Sequence, residues 1–350
     1  MRKNYIKKES EELKMELTMD FPQREQTISP THDIKLFAGR AHKQLAEEIA
    51  SYLGTSVGPM IIKNFADGEI YVQVQQSIRG DDVFLIQPLS NPVNENLMEL
   101  LIMIDAFKRA SAKSITAVIP YYGYARQDRK TSGREAITAK LVADLLTTAG
   151  ADRILAMDLH TGQIQGFFNI LVDHIYATPV LTDYIRKLNI PADKLVAVSP
   201  DTGGVQRTRV FAKQLDCPLA IVDKRRDKHN EAIADHIIGD VKDKICVLVD
   251  DMIDTAGTIC EASKLLIKEG AQKVYVCAAH GILSGPAIQR LEEAPVEEVI
   301  ITNSIPLDRE VSSKFTQLSI APILGEAISR IHDNESVSSL FGFEKEYKSY

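Results

Sequence analysis

The sequence contains no C-x-x-C pair: Cys217, Cys246, Cys260 and Cys277 are scattered, and three of them lie in or near apolar runs. This spacing excludes the common zinc and dithiol motifs and predicts buried, reduced thiols in a cytosolic protein. No apolar stretch approaches the ~20 residues that span a bilayer, so no membrane partner is expected. The opening stretch MRKNYIKKESEELKMEL lacks an apolar h-region and is too rich in glutamate for a transit peptide, which adds to the expectation of a cytoplasmic protein. Excess positive charge is missing too: a formal net charge of −7 argues against broad nucleic-acid binding. There is no G-x-x-x-x-G-K-[ST] loop, no G-x-G-x-x-G fingerprint and no H-E-x-x-H helix. Any ATP chemistry must use another scaffold.

What is present is an ordinary soluble composition in a chain of 350 residues, long enough for roughly two domains. Residues 1–32 mix charge with Pro22 and Pro30 and read as a mobile extension, with a short helical pattern over Ser10 to Leu17. From Ile34, strand patterns alternate with helical ones: IKLFAG, then HKQLAEEIASYLG ended by Gly54, then MIIKNFADGEIYVQV, VFLIQP, a helix from Asn94 to Ala110, ITAVIPY, AITAKLVADLLTTAG and RILAMDLH. The alternation restarts after PVLTDYIRKL and runs to QLSIAPILGEAISRIHD. Such alternation predicts an α/β protein with two parallel sheets flanked by helices, and its repetition suggests an internal duplication.

The chain is organised around Val247 to Thr258, VLVDDMIDTAGT. A continuous apolar run is what a strand buried on both faces looks like, and ligands of open parallel sheets sit at the strands' carboxyl ends. Here that end carries Asp250, Asp251 and Asp254, then Thr255, Ala256, Gly257 and Thr258 at the start of a helix. Unpaired N–H groups, hydroxyls and small residues at a helix N-terminus cradle a phosphate. Carboxylates are poor phosphate ligands, so they accept from sugar hydroxyls or face a metal ion. Sugar phosphate is the economical reading; a strand end followed by a plain helix cap is the bland one.

Further motifs occupy similar positions. Asp201, Thr202, Gly203 and Gly204 follow an apolar strand and open a helix, either as a simple turn or as a diphosphate loop whose aspartate holds a metal. His160 ends RILAMDLH two residues after Asp158; it is a rim residue or a metal ligand shared with Asp201. Lys224, Arg225 and Arg226 are solvated, or they neutralise charge on a transferring group. Arg126, Gln127 and Asp128 offer contacts to a base or phosphates, and Phe65 with Asp67 and Glu69 offers a stacking face and acceptors.

VLVDDMIDTAGT resembles the phosphoribosyl diphosphate (PRPP) loop of the type I phosphoribosyltransferase fold. Together with NFADGE, SIRGDDVFLIQP, YYGYARQDRK, RILAMDLHTGQIQGFF, VSPDTGG and IVDKRR, it makes the chain resemble the class I ribose-phosphate diphosphokinases (PRPP synthetases) from about Ile34 to Phe341. YYGYARQDRK and the DLH ending are absent from ordinary phosphoribosyltransferases, which separates synthesis from consumption.

The resemblance implies two tandem phosphoribosyltransferase-like domains, residues 33–175 and 176–330, the first completed by residues 331–345. It implies transfer of the β,γ-diphosphoryl group of ATP to the 1-hydroxyl of ribose 5-phosphate, with Mg2+ as cofactor. Carried over residue by residue, the 5-phosphate falls on Asp254 to Thr258, the ribose hydroxyls on Asp250 and Asp251, and the diphosphate on Asp201, Thr202, Gly203 and Gly204. The metal falls on His160 and Asp201, the ATP on Phe65, Asp67, Glu69, Arg126, Gln127 and Asp128, and the catalytic cations are Lys224 and Arg226. The family also implies a homohexamer with an ATP site shared between subunits. Regulation by inorganic phosphate and ADP would involve Ser77, Arg79, Ser132, Ser336, Val337 and Ser338. The competing readings are a non-catalytic, synthetase-like regulatory subunit and a PRPP-sensing nucleic-acid regulator; the acidic net charge disfavours the second.

Overall fold

The computed structural model describes residues 34–223 and 236–341. The first sheet is built from β1 (Ile34–Ala38), β4 (Asp82–Ile86), β5 (Ser114–Ile119), β6 (Arg153–Met157) and β7 (Leu171–Ile175), in that order and all parallel. A separate antiparallel hairpin, β2 (Met60–Asn64) and β3 (Ile70–Val74), is inserted between β1 and β4. The second sheet holds β8 (Leu195–Ser199), β9 (Leu219–Asp223), β10 (His236–Ile238), β11 (Ile245–Ile253), β12 (Lys273–Gly281), β13 (Glu298–Thr302) and β14 (Phe315–Leu318). Its order is β10-β9-β8-β11-β12-β13-β14, parallel except for β10 at the edge.

Strand orders in the two sheets differ. The first is sequential, whereas the second reverses direction between β8 and β11. Similar alternation along the chain therefore does not give the same topology twice.

Helices cover both faces of each sheet, which explains the unbroken apolar runs. In β4, Val83 and Leu85 pack with α2 (Val93–Arg109) and α3 (Thr138–Ala149), while Phe84 and Ile86 join a core on the opposite face. In β11, Cys246 and Leu248 pack under α6 (Gly257–Lys268) and α7 (Ala287–Glu293), while Val247 and Val249 face that same second core. This shared core holds apolar residues of α1 (Lys43–Tyr52), α4 (Thr178–Lys187), α5 (Val205–Leu215) and α8 (Ala321–His332). One helical layer thus serves both sheets, and the carboxyl ends of β6 and β11 are held across from each other. Helix α8 lies against α1, where the Tyr52 hydroxyl donates to Glu326 and Gly325 leaves room for the Tyr52 ring.

Candidate functional site

Between β8 and β11 the connections diverge to opposite sides of the second sheet, and such a reversal leaves a crevice outside the carboxyl ends of the strands. The loops after these two strands are 200–204 and 254–256. The two glycine-containing motifs of the sequence therefore meet at one place.

Asp250 and Asp251 are adjacent acids near the end of β11. Arg207 Nη1 lies 3.3 Å from Asp250 Oδ1 and 3.4 Å from Asp251 Oδ1, and His160 Nδ1 is 2.7 Å from Asp251 Oδ2. Burial alone would raise both acids. For Asp251 the hydrogen bond from His160 and the charge of Arg207 outweigh burial and hold it well below the usual carboxylate range. For Asp250, burial and the charge of Asp251 prevail, and its pKa is raised well above the ordinary value. The two acids are thereby driven apart, Asp251 downward and Asp250 upward.

Downstream, Ala256 adopts φ 62°, left-handed for a residue with a Cβ, and turns the chain into α6. Such strain costs about 1–3 kcal/mol and is retained where surrounding contacts over-determine it. Leu283 N–H donates to Ile253 O, Ser284 N–H to Asp254 O, and Arg290 Nη1 to Thr255 O. The N-terminus of α6 carries no side-chain cap, so its first N–H groups face outward beside Thr255 and Thr258.

The loop after β8 is closed on itself. Gly203 and Gly204 N–H donate to Asp201 Oδ1 at 2.8 and 3.0 Å, and Ser199 Oγ donates to Asp201 O. The N–H groups expected to face a diphosphate are satisfied here by the aspartate itself.

His160 is aimed by a turn at the end of β6. Asp158 has φ 38°, its N–H donates to Ile175 O, and its Oδ2 accepts from Ala177 N–H at 2.6 Å. Leu159 N–H donates to His174 Nε2 at 2.9 Å. Burial pushes Asp158 up to about 6 and His174 down to about 4. A cavity of about 510 Å³ opens here, lined by His160, Thr161, His174, Gly203 and Arg207 among others. Among the described residues no cluster of three or more His, Cys, Asp or Glu is set to hold a metal. Yet the Asp251 carboxylate fixes His160 Nδ1 and leaves Nε2 for a ligand, the pattern that orients metal-binding imidazoles.

The loop after β5 closes the third side. Arg126 Nη1 is 2.5 Å from Asp254 Oδ2, Thr161 Oγ1 donates to Asp128 Oδ2 at 2.8 Å, and Thr138 Oγ1 donates to Gln127 Oε1. Arg126, Asp128, His160, Asp251 and Asp254 are thus brought together. Phe65, Asp67 and Glu69 are not joined to them: all three are exposed at the tip of the β2–β3 hairpin, and their hydrogen bonds stay within it. Ser77 and Arg79 are exposed, Ser132 donates to Glu135, and Ser336 and Ser338 pair with each other next to the half-buried Val337. Among the described residues no hydrogen bond or ion pair links these three segments. Lys224 and Arg226, like the extension at residues 1–32, lie outside the described residues.

Arg207 was not singled out from the sequence, although a signal exists. A cation in the first turn of a helix opposes the macrodipole, and such a residue needs an acidic partner from elsewhere.

Residues 34–150 match the family described as the N-terminal domain of ribose phosphate pyrophosphokinase, and residues 227–342 match the phosphoribosyl synthetase-associated domain. A ribose-phosphate pyrophosphokinase of Synechococcus elongatus is 59% identical over 329 residues, covering 93% of this chain and 98% of the relative. A chloroplastic ribose-phosphate pyrophosphokinase 1 of Arabidopsis thaliana is 58% identical over 320 residues, covering 91% and 79%. The crystal structure of phosphoribosylpyrophosphate synthetase from Mycobacterium smegmatis superposes with a TM-score of 0.81 at 49% identity, covering 86% of this chain and 99% of that one.

Proposed function

Since the chain belongs to the ribose-phosphate pyrophosphokinase family, we propose that the crevice between β8 and β11 is where it carries out that family's reaction. The enzyme transfers the β,γ-diphosphoryl group of ATP to the 1-hydroxyl of ribose 5-phosphate, giving PRPP and AMP for nucleotide biosynthesis. A non-catalytic regulatory subunit is not favoured by relatives of this identity. The observation that carries the site assignment is the convergence of Asp250 and Asp251, the uncapped start of α6 and His160 on one crevice.

In this reading the 5-phosphate takes the N–H groups of residues 254–258, and Asp250 and Asp251 accept from the ribose hydroxyls. The diphosphate takes Gly203 and Gly204 N–H, displacing the Asp201 carboxylate that now occupies them. His160 and the Asp201 carboxylate would hold Mg2+. Two protein ligands would suit Mg2+, an ion commonly bound through few side chains together with substrate phosphates. When bound, Mg2+ offsets charge on the phosphate oxygens. The transition state of such transfers is loose, with charge on non-bridging oxygens, so orientation by Asp250, Asp251 and Arg126 and cations at Lys224 and Arg226 supply most of the rate.

ATP is placed on Arg126, Gln127 and Asp128, with Phe65, Asp67 and Glu69 reaching in from another subunit of a homohexamer; the exposed hairpin tip supports this. Exposed Ile137, Leu141 and Leu145, one helical stripe on and beside α3, support contact between subunits. Phosphate activation and ADP inhibition are assigned to Ser77, Arg79, Ser132, Ser336, Val337 and Ser338. The chain is divided near residue 175 and again near 330, with residues 331–345 returning to the first half, a reading that the approach of His332 to Asp82 supports. A cytoplasmic location accords with the buried thiols of Cys246, Cys260 and Cys277. The test is AMP release from ATP and Mg2+: it should require ribose 5-phosphate and rise with inorganic phosphate. AMP release independent of the sugar phosphate would refute the assignment.

A further inference from the structure

His280, at the carboxyl end of β12, is fully buried and lies outside every motif considered so far. Its Nε2 is 3.1 Å from Asp158 O in the opposite half of the molecule, and its Nδ1 is 2.8 Å from Ser304 Oγ. A carbonyl only accepts, so Nε2 must carry the proton. Burial holds the imidazole neutral, lowering its pKa to about 4, so Nδ1 is an acceptor. With Nε2 protonated, Nδ1 can accept the Ser304 hydroxyl proton, whose other acceptor within reach is Ala279 O at 3.0 Å. The Asp158 carbonyl thus sets the His280 tautomer, and Ser304 holds the other ring nitrogen.

The carbonyl that His280 grips belongs to the left-handed residue that turns β6 toward His160. The other polar groups of that turn are held by His174 and Ile175 of β7 and by Ala177 just after it. Besides the His160–Asp251 contact itself, the His280 bond ties the backbone of the turn to the second sheet, through β12, which pairs directly with β11, the strand that carries Asp251. We propose that His280, hydrogen-bonded to Ser304, is a positioning residue for His160: it registers the Asp158 turn against the second sheet so that the His160 imidazole meets Asp251 and presents its free nitrogen to the crevice. The inference rests on the reading of His160 as a metal-holding residue.

Outer partners that orient a ligating histidine typically contribute about ten- to a hundredfold in affinity or activity. The experiment is a double-mutant cycle of His280→Ala with His160→Ala, measured with thermal unfolding and with Mn2+ binding in the presence of ATP, read by electron paramagnetic resonance. His280→Ala should lower kcat and weaken Mn2+ binding by about tenfold or more, with little change in the KM for ribose 5-phosphate. His280→Gln, which restores an N–H toward Asp158 O, should recover most of both. In the His160→Ala background, His280→Ala should cost nothing further. The same loss in both backgrounds, or unaltered Mn2+ binding in His280→Ala, would overturn the proposal. If His280→Ala fails to fold, Ser304→Ala tests the same chain, and normal Mn2+ binding there would overturn it. Full activity and Mn2+ binding in His160→Ala alone would instead refute the reading of His160.

Discussion

The Arg126 guanidinium sits 2.5 Å from the Asp254 carboxylate, joining the loop that follows β5 to the loop that opens α6. Arg126 is about half exposed, so as an ion pair the contact contributes at most about 1 kcal/mol to stability. Its consequence lies in binding, because it links the loop assigned to ATP with the loop assigned to ribose 5-phosphate. Arg126→Ala should leave the unfolding temperature nearly unchanged and raise the KM for both substrates by about tenfold, the scale of one lost charged contact. Steady-state kinetics with each substrate varied decides this; an unchanged KM for ribose 5-phosphate means that the two loops are not coupled.

Removal of Arg207 has the opposite balance. Its side chain is 22% exposed and faces both Asp250 and Asp251. Arg207→Ala leaves two buried acids with one partner fewer, so stability should fall by about 3 kcal/mol and ribose 5-phosphate binding should weaken. Chemical denaturation measures the first and calorimetry the second. Wild-type stability would show that solvent already compensates the pair.

Buried imidazoles make one share of the stability acid-labile, for identifiable reasons. His174 and His280 titrate near 4 in the fold against an ordinary 6.5, because burial disfavours their charged forms, and His42 is lowered in the same sense. Between those values the unfolded chain binds more protons, so their contribution is full above 6.5 and is lost as pH falls toward 4. Asp158, raised to about 6 from 3.8, works against this: between those values the folded state binds the extra proton, so its share declines as pH rises. Asp250, raised in the same sense, adds to Asp158, so the imidazole share is read as a difference: between pH 7 and pH 5, His280→Gln should lose about 2 kcal/mol less than the wild type. Urea unfolding of both proteins at the two pH values checks it.

Lys224 follows directly on β9. Lys224→Ala should lower turnover by about a hundredfold, the scale of one strong transition-state donor, without shifting the unfolding temperature. An unchanged turnover number removes Lys224 from the chemistry.

Much of this site was legible in the sequence because local rules coincide there. An apolar run, acids at its end and small residues opening a helix specify β11, its loop and α6 without help from the rest of the chain. Strand β7 was not recognised, since LVDHI is short, carries two polar residues and lies at a sheet edge. The reversal of strand order between β8 and β11 was invisible for a different reason: alternation records which elements follow one another, not which side of the sheet each takes. Arg207 and His280 act through partners 43 and 122 residues away in the chain. The self-capped Asp201 loop depends on a rotamer, which a string of residue types does not encode.

Gly257 provides the most direct test of where the sugar phosphate sits. A Cβ there would meet nothing nearer than Arg290 Nη1 at 3.8 Å, so the fold has room for a methyl group. Side chains at the start of a helix point toward its N-terminus, and the added methyl would enter the space assigned to the 5-phosphate. Calorimetric titration of ribose 5-phosphate into Gly257→Ala should show an unchanged unfolding temperature, unchanged ATP binding and an affinity for the sugar phosphate weakened by at least about tenfold, the loss of one charge-assisted contact. Wild-type affinity for ribose 5-phosphate in this variant would place the sugar phosphate elsewhere and contradict the account.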